Sequence, residues 1–515
     1  MKRYFAFFSL FIPMGIILLG LTEVYAGGIL TNTNQSAQFV RMLSRNASTQ
    51  IDAVYFNPAG IMKLENGFHL SIHNQSIFQT RIIQTTAPLN NQEFTGKVTA
   101  PIFPSAFAVL KSEKLAFSLG FGPVGGGGSA DFDKGLPSFE TKIAQLVPLM
   151  KAGGYNADIA FQAQSVFWGI QGGVSAKLND MLSAYAGIRY VPATNTYTGH
   201  IRDITVLFNG QPVLVSPYFE TAANQASSAA TSAQSLITGG LGNYTLQQAQ
   251  TMGYLTSTQK ATLEAGLNNL GWTPAQIAAM NMNTVKARFE AGAAYLNVLS
   301  EQTADIEVDT RQTGTGLTPI IGLNISPVEY LNIGLKYEHK TKLALTNDTK
   351  KSDAGLDFLK DGEEVNSDMP AIITAGISYL FSKKLLATLS FNEYLDKGVD
   401  WGSNIYGEER TIDRNSFELA LGLQYDITDQ FAFSLGGMHS STGVSEQYQS
   451  AFSYSNTSST GGIGVQWKII PELALDAGML YTVYKDAGKT FATHSETYDK
   501  KNIAFAIGLS YSITR

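Results

Sequence analysis

Residues 502–514, NIAFAIGLSYSIT, alternate large and small side chains along their whole length. Ile503, Phe505, Ile507, Leu509, Tyr511 and Ile513 share one face of an extended chain, and Ala504, Ala506, Gly508, Ser510, Ser512 and Thr514 share the other. An apolar face for lipid and a small, polar face for a wet interior make the period of a membrane barrel wall. The pattern recurs upstream. Phe417, Leu419, Leu421, Leu423 and Tyr425 oppose Ser416, Glu418, Gly422 and Gln424; Ile463, Val465, Trp467 and Ile469 oppose Gly464, Gln466 and Lys468. A soluble sandwich shows one such strand, but rarely puts the large residues on one face of nearly every strand.

Followed outward from the carboxyl end, the same period predicts fourteen strands. They fall near 67–84, 95–111, 114–124, 163–178, 182–207, 311–326, 329–346, 366–381, 384–397, 411–427, 430–442, 458–469, 472–485 and 500–514. Alternate connections are short and carry turn chemistry: Lys111–Lys114, Leu178–Asp180, Ser326–Val328, Phe381–Lys383, Thr428-Asp429 and Ile470-Pro471. The connections between them are longer. Short turns on one side and long loops on the other are the asymmetry of an outer-membrane barrel, with both chain ends on the short-turn, periplasmic side.

Composition agrees. Charged residues make up 15% of the chain, against ~25% in soluble proteins, while glycine (49 residues) and aromatics (11%) are abundant. Beyond the first 26 residues no apolar run reaches the 18 or more that a spanning helix needs. The absence of cysteine removes disulfides, thiolate metal sites and cysteine nucleophiles together. A net charge of −6 without a basic cluster excludes nucleic acid as a partner.

At the amino end, Lys2 and Arg3 precede an apolar stretch from Tyr4 to Leu21, and Val24-Tyr25-Ala26 supplies a cleavage site. Residues 1–26 therefore read as a secretory signal peptide, with a retained anchor as the alternative. Residues 27–66 do not alternate. They read as turns and short helical pieces, Thr31 to Met42 and Arg45 to Tyr55. A barrel this wide is not filled by its wall side chains, so the segment fits inside as a plug; a periplasmic tail is the other reading. Within it, Asn57-Pro58 starts a tight turn, and Ala59 and Gly60 let the chain pass close to a wall.

The order of a signal peptide, the plug GGILTNTNQSAQFVRMLSRNASTQIDAVYFNPAG and fourteen alternating strands resembles the long-chain fatty-acid transporter family of the outer membrane, which includes aromatic hydrocarbon channels. The resemblance is most specific over residues 27–66 and covers the barrel as architecture. It implies a plugged, monomeric, fourteen-stranded antiparallel barrel over 67–515 that takes up hydrophobic ligands without an energy source. It further implies that Gly27, Gly28, Ile29 and Leu30 face a ligand pocket, and that Asn57, Pro58, Ala59 and Gly60 form the plug motif. In the family a kink in the third strand opens the wall towards the membrane. Gly120, Gly122 and Pro123 stand there in this chain, followed by glycines at 125–128. Proline removes a ladder donor and glycine permits a bend, although the same residues also suit the start of a mobile outer loop. The chain departs from many such barrels in ending Ile513-Thr514-Arg515 rather than on an aromatic.

Residues 208–302 lose the alternation and read as a helical extracellular insertion capping the outer mouth. Thr273-Pro274 is an N-cap followed by proline at the first helical position, and Asn283 or Thr284 caps a helix to about Ser300. Thr245–Tyr254 and Thr258–Leu270 are two shorter helices, with Leu263, Leu267, Leu270 and Trp272 as a small core. Catalytic chemistry is sparse. His69 and His73 face the lumen and join Arg189, Lys336 and Glu338 in a polar network, with no third metal ligand beside them. No phosphate loop links a strand to a helix, and no cofactor is implied. The reading is passive uptake of hydrophobic molecules, fatty acids first, through the outer membrane of a Gram-negative cell. A lipid-acting enzyme, with His339 and Glu338 as its only pair, and a structural or adhesive barrel are the rivals.

Overall fold

In the structure, a computed structural model, residues 36–352, 359–402 and 408–514 are described. The expected signal peptide and Gly27–Leu30 lie outside them.

Fourteen antiparallel wall strands follow in chain order. They are β1 (Gly67–Thr85), β2 (Glu93–Lys111), β3 (Leu115–Phe132), β4 (Tyr155–Lys177), β5 (Leu182–Phe208) and β6 (Ile306–Val328). Next come β7 (Leu331–Glu338, resuming as Ala344–Ser352), β8 (Glu364–Asn366, then Ile372–Ser382), β9 (Leu385–Tyr394), β10 (Ser416–Asp426) and β11 (Phe431–Ser441). The last are β12 (Ser458–Ile470), β13 (Leu473–Tyr484, then Ala487–Thr490) and β14 (Ser495–Thr514). Each strand pairs with its sequence neighbours, and β14 closes on β1 from Gly67↔Thr514 to Thr85↔Glu496. Closure leaves no free edge, as a lipid-facing sheet requires.

The two faces sort as the alternation predicts. Ile507, Leu509 and Ile513, like Leu421, Leu435 and Ile463, are exposed on the outside, while Ala504, Ala506, Ser434 and Glu418 are buried on the inside. Aromatic pairs gather beside the short turns: Tyr330–Tyr379 at 5.4 Å, Tyr379–Phe381 at 4.7 Å and Phe431–Trp467 at 5.7 Å. Tyrosine and tryptophan favour the boundary between lipid and water, so this girdle marks the short-turn rim of a membrane-spanning wall. Among the described residues no helix is long and apolar enough to cross a membrane.

The amino-terminal segment is a helix over Ala37–Met42, one turn over Ala53–Phe56 and a 3₁₀ turn over Pro58–Lys63. Ser36 caps the first by accepting from the Phe39 amide at 3.1 Å. The segment packs on inward residues around the ring, so it lies inside the barrel. Inward glycines seat it: a Cβ at Gly436 would come 1.8 Å from the Met42 carbonyl oxygen, and one at Gly464 2.4 Å from Arg41 Cβ.

Two sequence expectations need correction. The glycines at 125–128 are not an outer loop but part of β3, which runs on to Phe132 and stays paired with β4 by bending at Gly126 and Gly128, both with positive φ. The long helix at the end of the insertion is capped by Asn281, whose Oδ1 accepts from Thr284 N at 2.9 Å, and not by Asn283 or Thr284.

Residues 141–159 and 200–306 form a second compact unit. Thr273 caps its short helix with Pro274 at the first position, as expected. Its core holds Leu263, Leu267, Val285 and Phe289, with Leu270 and Trp272 packed against them. The 22-residue helix Val215–Leu236 was not legible, because it buries only small residues after its first turns: Ala223, Ala226, Ala230 and Ala233.

Candidate functional site

Asn57 leaves the helical region (φ −146°, ψ 69°) and hands the chain to Pro58 at the first position of the 3₁₀ turn. Its Nδ2 donates to the Ser48 carbonyl at 3.0 Å and to Asn324 Oδ1 of β6 at 2.7 Å. The carbonyls of Pro58 and Ala59 accept from Ser175 Oγ (2.7 Å) and Ser183 Oγ (2.8 Å), which ties the turn to β4 and β5. Ala59 sits against Tyr185 and Ile320. Gly60 has a different close neighbour from the wall expected for it: an added Cβ would lie 2.4 Å from Asn57 Nδ2 and 2.5 Å from Ser48 O. Its role is therefore to make room for the Asn57 hydrogen bonds.

Behind this turn the interior is ionic. Arg45 and Asp52 pair at 2.6 Å, with Ser48 donating to Asp52 at 2.6 Å. Burial alone would raise the Asp52 pKa, but the Arg45 guanidinium outweighs it and holds the carboxyl below its usual range. Arg41 pairs with Asp476 of β13 at 2.9 Å and donates to Gln424 Oε1 at 2.8 Å. On the opposite wall Arg189 of β5 grips Glu338 of β7 through both carboxylate oxygens, 2.6 and 3.1 Å. Lys336 reaches the same carboxylate at 2.6 Å and the Tyr55 carbonyl at 2.8 Å. The cluster expected for Arg189, Lys336 and Glu338 is thus present, but His69 and His73 are not in it. They face the lumen from β1, where His69 meets Ser512 at 2.8 Å and the Glu65 carbonyl at 2.9 Å. His339 points outward and contacts Tyr337, away from Glu338, so the pair named for an enzyme does not form. Among the described residues no group of three metal-ligating side chains occurs.

Arg189, Tyr55 and Val124 line two adjoining interior spaces. The larger runs between Phe56, Met369 and Ile372 on its apolar side and Lys336, Asn392 and Tyr394 on its polar side. The smaller reaches Val54, Phe107, Gly120, Phe121 and Gly122.

The β2–β3 ladder is interrupted beside that smaller space. β2 and β3 pair through Val98↔Ala130, and the next paired residues are Ala106↔Phe121, so the β2–β3 register breaks between these points. Gly122 and Pro123 lie at this register break, where both stay paired with β4, and Gly120 is the last inward residue before it, 3.1 Å in Cβ terms from Val54. β2 contributes Pro101 and Pro104, which cannot donate to a ladder and which sequence reasoning passed over. The β1 side chains of Asn74 and Ser76 complete the edge: Asn74 accepts from the Phe103 amide at 3.0 Å, and Ser76 donates to the Pro101 carbonyl at 2.8 Å.

A closed antiparallel barrel of fourteen strands, filled by its own amino-terminal segment and with its ladder interrupted between the second and third strands, is a membrane-barrel architecture. The chain shares its fold with solved structures of a FadL homologue and of a toluene transporter. A FadL homologue of Pseudomonas aeruginosa is 15% identical with a TM-score of 0.58, covering 94% of this chain and 99% of that one. The toluene transporter TodX of Pseudomonas putida is 10% identical with a TM-score of 0.52, covering 96% and 99%. No family model and no curated protein sequence matches the chain.

Proposed function

We propose that this chain is a monomeric channel of the Gram-negative outer membrane that takes up hydrophobic small molecules, with long-chain fatty acids as its ligands. One observation carries the reading: two interior spaces that share Tyr55, Val124 and Arg189 lie between a buried cationic cluster and the β2–β3 register break. An alkyl chain gains ~0.8 kcal/mol per buried methylene, so affinity should climb with chain length. Arg189 and Lys336 share one carboxylate, Glu338, and could hold an acidic head group; Glu418 stands behind Asn392 and Tyr394 and limits the positive excess. The mature amino terminus, from Gly27 to Leu30, would complete this pocket. Release would pass sideways between β2 and β3, where the register of the two strands is interrupted beside Gly120 and Gly122.

Native mass spectrometry of detergent-purified protein tests the ligand class, with a copurified long-chain carboxylate as the expected result. Gly120→Leu fills the space beside the register break and should depress fatty-acid uptake by cells while the barrel still assembles. Normal uptake by that variant would sink lateral release. Hydrolysis of lipid by the purified protein would replace the channel with an enzyme.

A further inference from the structure

Arg81 and Lys500 stand directly opposite each other where β1 pairs with β14. Both are on the lumenal face: Lys500 continues the inward series Gly508, Ala506, Ala504 and Asn502, and Arg81 falls between inward Gln79 and Ile83. The amino-terminal segment covers Ala504 and Ala506 with Phe39, Val40 and Phe56, so the two cations lie just past the covered strip. Like charges directly opposite on a sheet repel. Among the described residues no carboxylate pairs with either. The nearest acid in the chain, Asp499, occupies the other face and accepts from the Lys500 amide at 2.6 Å.

What surrounds the cations steadies them without neutralising them. Lys500 Nζ lies 4.6 Å and Arg81 Cζ 5.6 Å from the ring centroid of Tyr454, which stacks on Tyr498 at 4.9 Å. Tyr484 lies 5.9 Å from Lys500. Cation–π contacts are attractive but supply no counter-charge. Lys500 places one N–H on the Tyr454 carbonyl at 2.9 Å, and Arg81 has one long contact of 3.5 Å to Gln79 Oε1. Among the described residues the remaining donors of this ammonium and guanidinium have no protein acceptor. Beside them Asn502 leaves a buried Oδ1 without a donor, so this patch suits a polar group and not an alkyl chain.

We propose that Arg81 and Lys500 form an anion site for the carboxylate of an amphiphilic ligand, distinct from the Arg189–Lys336 cluster. It rests on the reading of the barrel as a passage for such molecules. A guanidinium and an ammonium held side by side give charge-assisted hydrogen bonds to both oxygens of a carboxylate. The aromatic rings around them favour the first methylenes of the chain.

Calorimetric titration in a non-ionic detergent, with dodecanoate and dodecanol as probes, tests it. Wild type should prefer the carboxylate, and Arg81→Gln combined with Lys500→Gln should weaken dodecanoate binding at least tenfold while leaving dodecanol unchanged. Each single substitution should also raise the unfolding temperature by relieving the opposed charges, which shows that lost binding is not lost folding. Dodecanoate binding indifferent to the double substitution overturns the site and leaves the passage standing. Failure of wild type to bind either probe counts against the passage itself. Equal competition by inorganic sulfate at the amphiphile's concentration overturns the assignment to an amphiphile.

Discussion

Asn57 bridges two acceptors, the Ser48 carbonyl within its own segment and Asn324 on the wall. Removing its side chain strands the Ser48 carbonyl in a buried place, which costs about 1–3 kcal/mol, and leaves Asn324 Oδ1 with Asn332 Nδ2 as its donor at 2.8 Å. Asn57→Ala should therefore lower the unfolding midpoint in detergent, and Gly60→Ala should do the same by displacing the Asn57 amide. An unchanged midpoint in both would mean the turn is held elsewhere. Asp396 makes a second argument at this scale. It lies in the turn after β9, fully buried, accepting from the Ser416 amide at 3.0 Å. Burial pushes its carboxyl from 3.8 up to about 6, despite that hydrogen bond. Between those values the folded state holds a proton that the unfolded state has lost. Stability from this group is complete below about pH 4 and declines as pH rises through 6, by at most about 3 kcal/mol. After division by the intrinsic exchange rate, the protection of the amides around 395–402 should fall over that interval in wild type and stay level in Asp396→Asn.

Strands β5 and β7 carry Arg189, Lys336 and Glu338 to one point from positions far apart in sequence. Two cations on one buried carboxylate stabilise the wall only while the carboxylate is present. Glu338→Ala leaves both uncompensated, and the cost of such a break is about 3–5 kcal/mol. If the neighbouring space holds an acidic head group, added dodecanoate should restore more stability to Glu338→Ala than to wild type. Equal shifts in the two proteins would remove the head group from this end of the interior. The inward alternation told that these side chains face the lumen, but not that they meet. Nor could it tell that His69 and His73 stay apart from them, because alternation assigns a face and says nothing of which strands lie adjacent across the barrel. The interrupted register between β2 and β3 was legible on one side only. Gly122 and Pro123 stood out, while Pro101 and Pro104 sat in a strand whose register had to be seen before their missing donors mattered.

The whole molecule wears an apolar belt, with Leu421, Ile463, Ile507 and Ile513 among its exposed side chains, bounded on the short-turn side by Tyr330, Tyr379, Phe431 and Trp467. So much exposed apolar surface precludes a dispersed monomer in water. The processed chain should fold only with detergent or lipid, give a β-dominated circular dichroism spectrum with a helical contribution from 215–302, and migrate faster unheated than boiled on a denaturing gel. A dispersed monomer in plain buffer would undo the membrane assignment.

Strand number, facing and the division into short turns and long loops were already determined by a local property, the two-residue period, which lipid outside and water inside impose on each strand separately. The same holds for the Asn57-Pro58 turn and the Thr273-Pro274 helix start, whose causes lie within a few residues. Tertiary structure alone decided what depends on contact between distant segments. It set the seating of the amino-terminal segment on wall glycines, the Arg189–Glu338–Lys336 cluster, the interrupted register between β2 and β3, and the opposition of Arg81 and Lys500. Each of these needs the barrel to close, since closure is what brings β14 beside β1 and turns fourteen separate faces into one interior.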